Sequence, residues 1–288
     1  MRALLATAAA WITCTAALAD TAAGSHRYVA VNGARLYTET FGNGPPIVFL
    51  HGGLRYFDTS FAMQRGDFAR THAVIGIDQR GLGHSPDTAQ PLSYQEMADD
   101  TAAVIRELVV GPVDVVGHSD GADVGLLLAR DHPELVRRLV ISGANLRAGT
   151  PPAELRRRAG WSPAQVDEAV RKIAAKLPPR FRAEYAAVSP DGDAHWIALL
   201  TKHYTLWLTP VVIESADLRR IAAPVLVMGG DHDFTSLEEI AETYRGLPHG
   251  QLLILPDTGH DTFGARPALV NQAIREFLER PPTEDVVR

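Results

Sequence analysis

Cysteine is all but missing from this chain of 288 residues: the one thiol, Cys14, lies near the amino terminus. No internal disulfide can form, and a thiolate zinc cluster has no ligands to draw on. A large excess of one charge sign is also missing. Lysine and arginine number 28 against 34 acidic residues, a net charge of −6, and the aromatics, 7% of the chain, do not interleave with basic residues. Nucleic acid and anionic membranes therefore have no electrostatic footprint to bind. Repeats and low-complexity tracts are absent too. With 46% apolar residues, the chain is long enough for one large α/β domain carrying an insertion.

The amino terminus has the composition of an export signal. Met1-Arg2 supplies positive charge, Ala3 to Ala16 is largely apolar, and Ala17-Leu18-Ala19 is a small-residue cleavage pattern. This predicts a signal peptide over residues 1–19, a mature chain beginning at Asp20, and a secreted or periplasmic protein. The competing reading is a cytosolic amino-terminal helix. The stretch is interrupted by Thr7, Thr13 and Thr15 and is short for a membrane span, so no stable insertion is expected after cleavage. Trp11-Ile12-Thr13 before Cys14 does not resemble a lipoprotein signal. Cleavage would leave no thiol, which suits an oxidising compartment.

The most informative motif is Gly117-His118-Ser119-Asp120-Gly121, which follows the apolar run Val113-Asp114-Val115-Val116 and precedes a helix-like stretch from Ala122 to Asp131. A G-x-S-x-G sequence between strand and helix forms a strained turn that exposes the serine oxygen. The pentapeptide alone is equally compatible with an ordinary glycine-rich turn. A second Gly-His-Ser, at Gly83-His84-Ser85, is followed by Pro86, which has no N–H to offer an oxyanion. Ser85 is thereby predicted to be structural.

A serine hydroxyl needs a histidine base and a carboxylate that fixes the base's tautomer. The β-like run Pro224 to Gly229 leads into Gly230-Asp231-His232-Asp233, a loop with two candidate carboxylates. The run Gln251 to Leu255 leads into Pro256-Asp257-Thr258-Gly259-His260, and Pro46 to Leu50 into His51-Gly52-Gly53-Leu54. Glycines at that last turn let backbone amides approach a developing oxyanion. Four such features, each just past a strand, converge where the carboxyl ends of a parallel sheet meet. His51 is expected to fix the oxyanion loop, and His118 to point away from the nucleophile. Asp231-His232-Asp233 lacks the further ligands that a metal site requires, so neither metal nor cofactor is predicted.

Serine, acid and histidine in this order, together with Asp78-Gln79-Arg80-Gly81-Leu82-Gly83-His84-Ser85, resemble the α/β-hydrolase family over nearly all of the chain after about residue 28. The resemblance implies a mostly parallel central sheet flanked by helices, with a core over residues 20–146 and 216–288 and a helical cap over 147–215. It implies the catalytic set Ser119, Asp233 and His260, the family spacing favouring Asp233 over Asp231, with Gly53 and Asp120 as oxyanion donors. Gly-His-Ser-Asp-Gly-Ala and the later Val140 to Asn145 are similar to the valacyclovir hydrolase (biphenyl hydrolase-like) group. There an acidic residue at the position of Asp120 receives an α-ammonium group. Asp120 could equally cap its helix or pair with an arginine such as Arg80.

Coarser signals complete the outline. Tyr28 to Phe41 reads as a hairpin turning at Asn32-Gly33, Ser93-Tyr94-Gln95-Glu96 as a capping box opening a helix, and Pro267 to Leu278 as a terminal amphipathic helix. The tail from Pro281 is expected to fray. In the cap region, Pro163 to Leu177 and Ala194 to Leu208 read as helices. Arg180, Arg182, Trp196, His203, Tyr204 and Trp207 there, with Leu54, are candidates to line a substrate pocket, although packing or solvated faces explain such residues as well. The expected activity is hydrolysis of a small carboxylic ester, with an aminoacyl ester, lactone or amide as variants. A C–C bond hydrolase or cofactor-free perhydrolase would use the same residues. An epoxide hydrolase or haloalkane dehalogenase would need an aspartate where Ser119 stands, and a non-catalytic binding protein would not need the complete triad. The expected partner is a small-molecule substrate.

Overall fold

The computed structural model describes residues 24–146, 162–208 and 213–280. The segment read as an export signal, the first part of the predicted cap region and the carboxyl-terminal tail lie outside the described residues. Eight strands form one sheet: β1 (Ser25–Val31), β2 (Ala34–Phe41), β3 (Pro46–Leu50), β4 (Ala73–Ile77), β5 (Val113–His118), β6 (Val136–Ser142), β7 (Val225–Gly230) and β8 (Gly250–Leu255). Their order is β1-β2-β4-β3-β5-β6-β7-β8. Strand β2 runs antiparallel to both its neighbours, and β3 to β8 are parallel. The hairpin turns at Asn32 and Gly33, both at positive φ (42° and 77°), which is why that Asn-Gly pair is legible as a turn.

The central strands are apolar on both faces, and their alternate residues sort into two cores. Val48, Leu50, Val115 and Ile141 face one side, with Met97 and Val104 of α2 (Tyr94–Leu108) and Leu126 of α3 (Asp120–Asp131). Ile47, Phe49, Val116 and Val140 face the other, with Phe57 and Phe61 of α1 (Phe57–Phe68) and Ile274 of α10 (Pro267–Glu279). Each fully buried side chain of this kind contributes about 1.5–3 kcal/mol relative to exposure. This covering of both faces leaves the strand carboxyl ends as the open edge of the molecule.

Between β6 and β7 the described residues form α4 (Pro163–Ala174), α5 (Pro179–Val188), α6 (Trp196–Trp207) and the short α7 (Ser215–Leu218). The short α8 (Leu237–Gly246) and α9 (Thr262–Ala265) follow β7 and β8. Helices α4 to α6 bury Val170, Tyr185, Trp196 and Leu199 together with Leu54 and Leu82 from the strand-end loops, so this layer covers that edge. A polar clasp adds to it: Asp87 accepts from His195 Nε2 and Lys202 Nζ, each at 2.8 Å.

Two expectations are corrected. Ser93 Oγ accepts the Glu96 N–H at 3.0 Å, but Glu96 does not complete a capping box; its carboxylate lies 3.1 Å from Arg80 Nη1. Nor does Arg80 pair with Asp120. The guanidinium, 2% exposed, is bound to the fully buried Asp100 and donates to Asn32 O at 2.9 Å. Asp100 is the nearer buried carboxylate on α2, and the pair ties the loop after β4 to the hairpin turn, where Asn32 Nδ2 also reaches Asp100 at 2.9 Å.

Candidate active site

Ser119 sits between β5 and α3 with φ 54° and ψ −123°, a conformation that non-glycine residues rarely hold without support. Its N–H is anchored to Ser142 O at 2.8 Å. Close packing explains the following glycine, since a Cβ at Gly121 would stand 2.0 Å from Leu50 O. Asp120 opens α3, and first-turn N–H groups have no acceptor within their helix.

After β8, His260 is held from two sides. Its Nδ1 is 2.8 Å from Asp233 Oδ1, and His118 Nε2–H donates to its main-chain oxygen at 2.8 Å. Burial, and then the neighbouring His260, lower the His118 pKa to about 4, so His118 is a neutral prop at working pH, turned toward the loop that carries His260. The Asp233 side chain is fully buried, whereas His260 keeps 23% exposure. Thr235 N–H donates to Asp233 Oδ1 at 3.1 Å, which fixes the carboxylate beneath the ring. Asp231 does a different job: its carboxylate accepts the Thr258 N–H at 3.0 Å, and that bond and the Asp257 N–H lower its pKa. His232 is exposed, with Nε2 4.0 Å from Asp231.

Gly143, the residue after β6, ties serine and histidine together. A Cβ there would meet His260 Cε1 at 2.6 Å, and the preceding Ser142 holds Ser119. Serine turn and imidazole therefore flank the end of one strand. Phe234, 71% exposed, lies over the imidazole with ring centroids 4.0 Å apart. Neither Gly143 nor Phe234 was legible beforehand, because a single glycine or exposed aromatic in a loop has no periodic signal.

The loop after β3 completes the arrangement. His51 is buried; its Nδ1 donates to Gly52 O at 2.8 Å and its Nε2 accepts the Gln79 N–H at 2.9 Å, which fixes both tautomer and loop. Leu54 has φ 58°. A Cβ at Gly53 would lie 2.5 Å from Asp120 Oδ2 and 2.6 Å from the Trp207 ring, so only glycine lets the loop meet the serine turn. Asp120 is itself buried. Its Oδ1 accepts from Tyr94 OH at 2.9 Å and both its oxygens lie 3.0 Å from Trp207 Nε1.

Among the cap candidates, Trp207 reaches this cluster. Trp196 packs against Tyr185 at 5.4 Å, and Tyr204 stands edge-on to Trp207 at 5.1 Å. His203 is fully buried beside Asp120. Arg182 pairs with Asp193 at the surface, and Arg180 lies over Phe181. Among the described residues no group of three or more His, Cys, Asp or Glu is placed to hold a metal ion. No described helix is long and apolar enough to cross a membrane.

A sheet of this order with serine, imidazole and carboxylate at its strand ends defines an α/β-hydrolase. The comparisons agree: the profile of the alpha/beta hydrolase family matches residues 47–273. The chain belongs to that family and is a hydrolytic enzyme. It is similar to a Mycobacterium tuberculosis protein provisionally named a non-heme bromoperoxidase, with 30% identity over 82% of this chain and 95% of the other. A thermophilic esterase from Thermogutta terrifontis superposes with a TM-score of 0.69 at 27% identity, covering 91% of this chain and all of that one. An N-acyl homoserine lactone degrading enzyme does so with a TM-score of 0.65 at 27% identity, covering 87% and 100%.

Proposed function

We propose that this enzyme hydrolyses small carboxylic esters or lactones through a covalent acyl-enzyme on Ser119. The observation that carries the reading is the buried Asp233 carboxylate 2.8 Å from His260 Nδ1, on the far side of the ring from the nitrogen that a base must use. His260 Nε2 takes the Ser119 proton as Oγ attacks the carbonyl carbon. The N–H groups of Asp120 and Gly53 receive the oxyanion, an interaction worth about 3 kcal/mol per donor in the transition state. Protonated His260 then releases the alcohol, and water repeats the sequence to free the acid. The esterase and the lactone-degrading enzyme named above support this substrate class. Labelling with a fluorophosphonate probe tests it, the expected adduct lying on Ser119 and no other residue.

Asp120 gives an aminoacyl ester little support, because Tyr94 and Trp207 already answer its charge. The bromoperoxidase-like relative favours the perhydrolase variant as the second reading; in that case acyl transfer to hydrogen peroxide should compete with hydrolysis.

Replacing Gly53 should separate the oxyanion loop from general folding. Gly53→Ala pushes a methyl group into Asp120 Oδ2 and Trp207, so the loop must retreat and its N–H with it. The expected loss in kcat is about 100-fold, measured on p-nitrophenyl acetate with thermal melting as the control. Full turnover in a folded variant would remove Gly53 from the machinery.

Export is proposed on the composition of residues 1–19. Sequencing the amino terminus of protein from its native host is expected to give Asp20. An intact Met1 in the cytosol would reject this.

A further inference from the structure

His203 of α6 is fully buried, and neither of its ring nitrogens has a hydrogen-bond partner among the described residues. Leaving a buried polar group unsatisfied is destabilising, and a leucine or phenylalanine at this position would avoid that. The position beside the reaction centre suggests what the imidazole is for. Its Nδ1 is 3.9 Å from Asp120 Oδ2, too far for a direct bond and close enough for one shared oxygen atom to reach both. The same Asp120 oxygen faces Gly53, one step from the proposed oxyanion donors.

We propose that His203 and Asp120 form a subsite for a single hydroxyl group carried by the acyl part of the substrate. The inference rests on the ester-hydrolase reading above. The hydroxyl oxygen accepts from His203 Nδ1–H, and its O–H donates to Asp120 Oδ2.

The chemistry of the pair selects this ligand. Burial lowers the His203 pKa to about 3, so the ring is neutral and offers one donor and one acceptor. Asp120 has Oδ1 occupied by Tyr94 and both oxygens facing Trp207, which leaves little beyond one lone pair on Oδ2. An anion would meet a single donor, the His203 ring N–H, and otherwise only the acceptor oxygens of Asp120. An ammonium group brings three donors and no acceptor, so most of its N–H groups would go unmet. A hydroxyl matches one donor to one acceptor. Asp120 alone does not carry the proposal; the buried, unpartnered Nδ1 of His203 beside it does.

The test compares p-nitrophenyl esters of butyrate, 2-hydroxybutyrate, 3-hydroxybutyrate and 2-aminobutyrate on the full-length enzyme. One of the two hydroxy esters is expected to exceed butyrate in kcat/KM by about tenfold, the usual scale of one buried hydrogen-bonded contact, mainly through KM. His203→Phe should bring that ratio close to one, and His203→Gln, which keeps a donor and an acceptor, should retain part of it should the phenylalanine variant fail to fold. No hydroxyacyl preference in the parent enzyme overturns the subsite and shows that the cluster holds water only. A preference that survives both variants overturns it as well, and a larger preference for the amino ester replaces the hydroxyl with an ammonium. If none of the esters turns over, the ester-hydrolase reading itself has failed, which is a separable result.

Discussion

Ser119→Ala is expected to lower kcat for ester hydrolysis by about four to six orders of magnitude while the fold persists, because a nucleophile and its base act as one unit. The fold should survive because the turn is held by bonds that alanine keeps: Ser119 N–H to Ser142 O at 2.8 Å, and Ser119 O accepting from the Ala122 and Asp123 N–H groups. The serine of the second Gly-His-Ser predicts the opposite pattern. Ser85 is fully buried, accepts the Tyr37 N–H at 2.8 Å and donates to Asp78 O at 2.7 Å. Ser85→Ala should therefore cost about 1–3 kcal/mol of stability, read as a lower melting temperature, with turnover changed only a few-fold in the protein that remains folded. Should Ser85→Ala abolish turnover in a folded protein while Ser119→Ala does not, the nucleophile has been misassigned.

The contrast between these serines shows what the chain makes legible. Ser119 and Ser85 share a tripeptide, and Pro86 is what predicts different roles for them, because a missing N–H is a covalent fact rather than a matter of packing. The sheet was readable for a similar reason. Runs such as Ile47-Val48-Phe49-Leu50 are apolar at every position, as strands covered on both faces must be, and all the predicted strands are present. Side-chain partners were less accessible. Glu96 three residues after Ser93 satisfies the capping-box pattern, yet Arg80, buried and 16 residues earlier, claims its carboxylate. Long-range charge pairs leave no local signature, and the same holds for Asp120, whose partners Tyr94 and Trp207 come from α2 and α6. The cap is the hardest case: its aromatics have the composition of either a pocket or a core, and only their placement separates Trp196, buried against Tyr185, from Trp207 beside the serine turn.

The two carboxylates of Gly230-Asp231-His232-Asp233 give the other large contrast. Asp233→Asn is expected to reduce kcat by about 10³- to 10⁴-fold, a magnitude taken from the serine-protease triad in which the same change was made. Of these two carboxylates, Asp233 is the one that touches the imidazole, at 2.8 Å. An asparagine there either turns its N–H toward Nδ1, which forces the proton onto the nitrogen that must act as base, or buries an amide N–H with no acceptor. In the parent protein Asp233 Oδ2 is already buried without a partner among the described residues, so the site has no acceptor ready for an amide N–H. Asp231→Asn meets different surroundings. The Thr258 N–H donates to Asp231 Oδ1, and the amide oxygen of asparagine can still accept that bond, so kcat should fall less than about tenfold. Because hydrogen bonds to the charged form depress the Asp231 pKa, its contribution to stability is present at neutral pH and lost as pH falls through the folded-state value. Asp231→Asn should accordingly flatten the acid side of a melting-temperature profile while sparing turnover. Equal and small effects of the two changes on kcat would mean that His260 is oriented by something other than Asp233, and would remove the acid from the proposed triad.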